Sequence, residues 1–169
     1  MDNAVYGLTK GQGSPTSQKG HVTSSTPYGN PVDGLNPLKL YLTLGISFIA
    51  SGLSSKVKDL SQMMVSAMNH QGFSVVHIQS PCTTYHNTYE QLKGNLRKGI
   101  DPLAWSISDD HDSTDLKSAN EIVDTAGIPL GVIYRDESRP TFDMAMDDVV
   151  SKTKTKSLQS IIDGYTIKN

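Results

Sequence analysis

Cysteine is almost absent from this chain. Cys82 stands alone among 169 residues, which excludes an internal disulfide framework. Long apolar runs are missing too: no stretch approaches the roughly 20 residues that span a bilayer as a helix. The N-terminus lacks the charged-then-apolar pattern of a secretory signal. Charge of one sign is not in excess. Lys and Arg number 15 against 17 Asp and Glu, a net charge of −2, so nothing favours a nucleic acid or an anionic membrane as partner. No internal repeat occurs, and His70, His77 and His86 are spaced too irregularly for a zinc pattern. What remains is a soluble globular composition, 36% apolar with mean hydropathy −0.35. It amounts to one domain or a large piece of one, with the cytoplasm as default compartment.

What the chain does have is concentrated in its first twelve residues, Met1-Asp2-Asn3-Ala4-Val5-Tyr6-Gly7-Leu8-Thr9-Lys10-Gly11-Gln12. A carboxylate and a carboxamide precede apolar residues, and a Gly-Leu-Thr-Lys-Gly-Gln loop follows. Amide oxygen and backbone carbonyl are hard ligands that suit Mg²⁺. Glycines let backbone N–H groups approach a phosphate, and Thr, Lys and Gln add donors. The run reads as half of a Mg²⁺–diphosphate site.

Residues 1–36 are dense in Gly, Ser, Thr, Pro and Asn. That composition predicts a long irregular loop that is either disordered or a binding element. Val5, Tyr6, Leu8 and Tyr28 argue for order, because each needs an apolar home. Asn36-Pro37 opens a helix as N-cap and first position, with Leu38, Tyr41, Leu42 and Gly45 on one face. Ile46–Ala50 is a short strand. Ser54 or Ser55 caps the next helix, in which Val57, Leu60, Met64, Ala67 and Met68 recur at helical spacing and Gly72 closes the end. Phe73–Gln79 is a second strand. This alternation predicts an α/β fold with a parallel sheet and crossover helices, in which ligands sit at the carboxyl ends of strands. Asn3 and Cys82 both fall at such ends. Further on, Ser118–Ala126 reads as a helix capped by Ser118, Ile128–Arg135 as a strand, and Thr141–Ser151 and Ser157–Asp163 as helices. Asp109-Asp110-His111-Asp112 reads as a solvated loop rather than a metal cluster, and Trp105 as a packing anchor. Lys152, Lys154 and Lys156 form a basic run.

Asp2–Gln12, continued by Ser14-Pro15-Thr16-Ser17 and Thr23-Ser24-Ser25-Thr26-Pro27-Tyr28-Gly29, resembles the thiamine-diphosphate-binding beta subunit of 2-oxoacid:ferredoxin oxidoreductases. The block from Ile128 to Phe142 resembles the closing segment of the same subunits. The resemblance implies a thiamine-diphosphate-binding fold, with residues 1–100 as the C-terminal half of that domain and 101–169 as a C-terminal extension. It implies that Asn3, through its side-chain oxygen, and Val5, through its carbonyl, bind Mg²⁺, and that Gly7, Leu8, Thr9 and Gln12 line the cofactor. The family also uses a Gly-Asp-Gly segment, which this sequence does not contain. The expectation is a C-terminal fragment that binds thiamine diphosphate weakly or not at all by itself and is inactive alone.

Cys82 lies in Ser80-Pro81-Cys82-Thr83-Thr84-Tyr85-His86-Asn87. On residue type alone a lone Cys is a small buried side chain. The resemblance implies instead one of four thiolate ligands of a [4Fe–4S] cluster. Tyr85-His86 departs from the family pattern and displaces Asn87 by one position. Leu8-Thr9-Lys10-Gly11-Gln12 resembles the loop form of enzymes for 2-oxoglutarate or a broad range of 2-oxoacids, which makes Leu8 and Lys10 the substrate candidates. Lys10 either attracts a second substrate carboxylate or faces a diphosphate oxygen or solvent. The implied activity is oxidative decarboxylation of a 2-oxoacid with CoA to acyl-CoA, CO₂ and reduced ferredoxin, with an alpha subunit and ferredoxin as partners. No catalytic base is expected within the chain. Two other readings remain open: a non-catalytic remnant that binds the alpha subunit, and a different thiamine-diphosphate-dependent enzyme.

Overall fold

The glycine-rich opening run folds as a tight hairpin. In the computed structural model, which describes residues 1–153 and 156–165, β1 (Val5–Tyr6) pairs antiparallel with β2 (Gln12–Gly13). Gly7–Gly11 make the turn, in which Gly11 N–H donates to Tyr6 O at 2.9 Å. Lys10 and Gly11 both take positive φ, +77° and +89°.

Residues 14–35 are irregular yet ordered by hydrogen bonds. Asn30 Nδ2 donates to the carbonyls of Ser17 and Val32 at 2.9 and 3.0 Å, and Leu35 N–H donates to Pro15 O at 2.8 Å. The expected apolar anchoring is corrected here. Val5 is buried, but Tyr6 is half exposed and Leu8 and Tyr28 are fully exposed. Side-chain and backbone polar groups hold this segment, not hydrophobic burial.

Helix α1 (Pro37–Thr43) begins as the sequence predicts. Asn36 Oδ1 accepts from the N–H groups of Leu38 and Lys39 at 3.1 and 3.2 Å, satisfying two donors that a helix start leaves free. It is followed by β3 (Phe48–Leu53), α2 (Val57–Asn69), β4 (Ser74–Gln79), α3 (Tyr89–Lys93), β5 (Ala104–Ser106), α4 (Leu116–Asp124) and β6 (Ile128–Arg135). The four long-range strands form one sheet in the order β4–β3–β6–β5. The β3–α2–β4 unit is the predicted parallel crossover. β5 and β6 are also parallel, but β3 and β6 run antiparallel, so the sheet is mixed rather than wholly parallel. The continuous apolar run of β6 specifies a strand buried on both faces and carries no information on direction.

Phe48 and Ala50 pack with Met63, Leu60 and Ala67 of α2 on one face. Ile49 and Ile133 pack with Leu38, Leu42, Ala119 and Val123 of α1 and α4 on the other. Phe48, Ile49, Leu53 and Ile133 are fully buried, each stabilising the fold by about 1.5–3 kcal/mol of transfer free energy.

Four local expectations are corrected. Strand β3, expected over Ile46–Ala50, begins at Phe48, two residues later than Ile46. Helix α2 has no side-chain cap; neither Ser54 nor Ser55 serves, and Lys56 holds the position. Its inner face is Leu60, Met63 and Ala67, while Val57, Met64 and Met68 face outward. Two apolar stripes lie on one helix, and only the strand partners decide between them. Helix α4 is capped by Asp115, which accepts from Lys117 and Ser118 N–H, not by Ser118.

Residues Met1–Arg139 make one compact unit and Pro140–Asn169 a second. The second contains α5 (Phe142–Lys152), capped by Thr141, and α6 (Leu158–Tyr165). None of its described side chains is buried. Lys154 of the basic run lies outside the described residues. Among the described residues no helix is long and apolar enough to cross a membrane.

Candidate functional site

Asp2 attaches the N-terminal run to the edge of the sheet. It bridges Gln79 in parallel fashion, donating from its N–H to Ile78 O at 2.8 Å and accepting at its carbonyl from Ser80 N–H at 2.7 Å. The residues after Asp2 therefore emerge at the carboxyl end of β4, beside the segment that carries Cys82. That is where an open α/β sheet places its ligands.

Two consecutive side chains shape the first turn. Asp2 Oδ1 accepts from Ala4 N–H at 2.9 Å and from the Thr16 hydroxyl at 2.8 Å. Asn3 Oδ1 accepts from Val5 N–H at 3.1 Å. Each is an Asx-type bond to the backbone two residues on, and together they hold Ala4 at φ +59°, a conformation costly for a residue with a Cβ. Ser17 Oγ donates to Ala4 O from the far side. Burial pushes the Asp2 carboxyl up, but His77, Ala4 N–H and the Thr16 hydroxyl outweigh it and bring the group down to about 2. Asp2 is thus a fixed anion.

The hairpin then rests on the cysteine turn at two points. A Cβ on Gly7 would lie 3.3 Å from Cys82 Sγ and 3.7 Å from Asn3 Nδ2, and a Cβ on Gly11 would lie 3.0 Å from the Tyr85 side chain. The contacts with Cys82 and Tyr85 are both tighter than a β-carbon normally makes, and Gly11 also takes a φ of +89° that favours glycine. The Cys82 turn closes on itself through His86 N–H to Cys82 O at 2.9 Å. Backbone N–H groups of Tyr85, Thr84 and His86 converge on the sulfur and hold its thiol below the ordinary cysteine value. Tyr85 and His86 each have a job: Tyr85 packs on Gly11, and His86 meets His21 with ring centroids 4.0 Å apart. Burial and His21 keep His86 below the usual imidazole range.

Asn3, Gly7 and Cys82 are therefore brought together. Val5 is buried at the start of the hairpin. Leu8, Thr9 and Lys10 are not part of this cluster; they stand exposed at the hairpin tip, where the Thr9 hydroxyl donates to Gln12 Oε1 at 2.6 Å. Asp2, Asn3, His77 and His86 line an open cleft of about 810 Å³.

Sequence reasoning missed Thr16, Ser17 and His77. The polar loop composition gives no hint that Thr16 and Ser17 clamp the Asp2–Ala4 turn. A histidine inside Val75-Val76-His77-Ile78 was a usable signal. The acidic loop is structural: His111 contacts Ile133 O and Ser118 Oγ at 2.9 and 3.0 Å, and Asp112 accepts from Thr114. Trp105 Nε1 donates to Ala126 O at 3.0 Å. Among the described residues no group of three or more His, Cys, Asp or Glu side chains could hold a metal ion.

Residues 1–78 match the family of C-terminal thiamine-pyrophosphate-binding domains of thiamine pyrophosphate enzymes. Residues 82–150 match the C-terminal family of pyruvate ferredoxin oxidoreductase beta subunits. The chain is similar to 2-oxoacid:ferredoxin oxidoreductase 1, subunit beta, of Aeropyrum pernix, at 36% identity over 84% of this chain and 47% of the relative. It is similar to the 2-oxoglutarate oxidoreductase subunit KorB of Mycobacterium tuberculosis at 38% identity over 52% of this chain and 23% of that one. A solved structure, the 2-oxoglutarate:ferredoxin oxidoreductase of Magnetococcus marinus with 2-oxoglutarate, coenzyme A and succinyl-CoA bound, superimposes with a TM-score of 0.83 at 33% identity, covering 99% of this chain and 57% of that one. The chain spans about half the length of the curated relatives that match most of it. Two adjoining family segments, relatives across most of the chain and a matching fold agree: the chain belongs to the thiamine-diphosphate-binding beta subunits of the 2-oxoacid:ferredoxin oxidoreductases.

Proposed function

We propose that this chain is the part of such a subunit that holds the Mg²⁺ end of thiamine diphosphate and supplies one ligand of a [4Fe–4S] cluster, in a cytoplasmic enzyme that converts a 2-oxoacid and CoA to acyl-CoA and CO₂ and passes electrons to ferredoxin. The observation that carries this reading is the meeting of Asn3 and Cys82 across Gly7 at the carboxyl end of β4.

The residues suit both groups. The Asn3 amide oxygen and the Val5 carbonyl are ligands of the kind Mg²⁺ prefers. The N–H groups around Cys82 favour thiolate, the form that binds iron. When bound, thiamine diphosphate supplies the carbanion-stabilising chemistry of decarboxylation. The chain's own part is placement. Asp2 and Asn3 fix the first turn, Gly7 admits the sulfur beside it, and the hairpin of Gly7, Leu8, Thr9 and Gln12 offers backbone and side-chain donors to a diphosphate. An alpha subunit partner belongs to this reading.

Lys10 supports 2-oxoglutarate or another dicarboxylate as substrate. It stands exposed beside Leu8 at the hairpin tip in a left-handed conformation that lysine seldom adopts, and its ammonium is free to meet a second carboxylate.

The test is reduction of a low-potential dye by the full-length beta subunit assembled with its alpha partner. Reduction requires a 2-oxoacid and CoA together. Dye reduction that ignores CoA, or none with any 2-oxoacid, contradicts the proposal.

A further inference from the structure

His77 is a buried polar residue with no place in the functions above. It lies on the middle of β4, 7% exposed, at a position whose strand neighbours Val76 and Ile78 are apolar. Its register partner on β3 is Ser51, itself fully buried with an unpartnered hydroxyl. A buried imidazole and a buried hydroxyl cost free energy unless they are paired, and an apolar side chain at 77 would suit the core better.

What His77 does have is a line of contacts running from helix α1 to the Asp2 turn. The Tyr41 hydroxyl lies 3.3 Å from His77 Nδ1. His77 Nε2 lies 3.5 Å from Asp2 Oδ2, longer than a full hydrogen bond. One tautomer serves both ends: the Tyr41 hydroxyl donates to Nδ1, and Nε2–H faces the carboxylate. The other Asp2 oxygen holds Ala4 N–H and the Thr16 hydroxyl. Tyr41 and His77 therefore stand behind the Asp2 oxygen that the turn leaves unused, with Nε2 buried and without a full hydrogen bond, and Asp2 shapes the turn that carries Asn3 and Val5.

We propose that His77, backed by Tyr41, is a positioning residue for the metal-binding turn, and that it governs the affinity of the assembled enzyme for Mg²⁺–thiamine diphosphate rather than its turnover. The inference rests on Asn3 as a Mg²⁺ ligand. A side chain that orients ligands without touching the ion typically changes metal affinity by about 10–100-fold when removed.

The test compares His77→Leu, His77→Gln, Tyr41→Phe and Asn3→Ala in the full-length enzyme assembled with its alpha subunit. It reads the calorimetric Kd of Mg²⁺–thiamine diphosphate, kcat at saturating cofactor, and the unfolding temperature. His77→Leu weakens Kd by about tenfold while kcat at saturation stays within about twofold. His77→Gln, whose amide N–H can occupy the place of Nε2–H, restores Kd to within about threefold of the parent. Tyr41→Phe weakens it by about threefold. An unchanged Kd in His77→Leu overturns the proposal. So does an equal loss in Leu and Gln variants, which marks a packing role only. If the Leu variant does not assemble, Tyr41→Phe decides, and an unchanged Kd there overturns it. Asn3→Ala separates the two levels. If it leaves Kd unchanged, the metal-ligand reading itself fails. If it abolishes binding while His77→Leu does not weaken it, only the role of His77 fails.

Discussion

The sulfur of Cys82 lies 3.3 Å from the point where Gly7 would carry a β-carbon. A glycine of the N-terminal hairpin, proposed to line the diphosphate, and a cysteine proposed to bind the cluster, 75 residues apart in sequence, thus share one contact. Gly7→Val is expected to destabilise the chain by about 1–3 kcal/mol through overpacking against the sulfur, read as a lower urea midpoint. A midpoint equal to that of the parent would mean that the hairpin does not press on the cysteine turn.

The same turn makes a prediction for the thiol. Backbone N–H groups of Tyr85 and Thr84 favour the thiolate of Cys82, so the rate of alkylation by iodoacetamide should rise with pH at a midpoint below that of an unfolded cysteine peptide measured in parallel. A midpoint at or above the peptide's would rule out the N–H cradle.

Asp2 gives the chain a signature in acid. Its folded value of about 2 lies below the 3.8 of an unperturbed aspartate. Its contribution is therefore fully present above about pH 4 and is lost as pH falls through 2. Allowing for its partial exposure, roughly 1 kcal/mol is at stake. In urea titrations with EDTA, the parent should lose more stability than Asp2→Asn between pH 4 and pH 2. Parallel curves would show that Asp2 is not held as an anion.

Lys10 tests strain against specificity. Lys10→Gly relieves a left-handed backbone and should stabilise the chain by about 0.5–1 kcal/mol, since the side chain is exposed. In the assembled enzyme the same change should raise KM for 2-oxoglutarate several-fold more than KM for pyruvate. Equal changes would assign Lys10 to the diphosphate or to solvent.

Much of the frame was legible in the sequence, and the reasons are local. Asn36-Pro37 carries its own capping chemistry, and β3–α2–β4 announces itself by a switch of hydrophobic period. The antiparallel β6 and the inner face of α2 were not legible, because Ile128–Arg135 is apolar throughout and α2 bears two apolar stripes. Asn3, Gly7 and Cys82 could be named from motifs, but their contact depends on the bridge between Asp2 and Gln79. His77 could be noticed as a histidine in an apolar strand, but its role could not. Its meaning comes from Tyr41 and Asp2, which only the packing of α1 and the N-terminal run bring to it.

Asn3 and Cys82 are proposed to serve two different groups from one place. The most direct test is electron paramagnetic resonance of the reduced full-length enzyme, paired with calorimetry of Mg²⁺–thiamine diphosphate, on Cys82→Ser and Asn3→Ala. Cys82→Ser is expected to lose or alter the cluster signal and still bind the cofactor, while Asn3→Ala keeps the signal and loses binding. An unchanged signal in Cys82→Ser, or unchanged binding in Asn3→Ala, would contradict it.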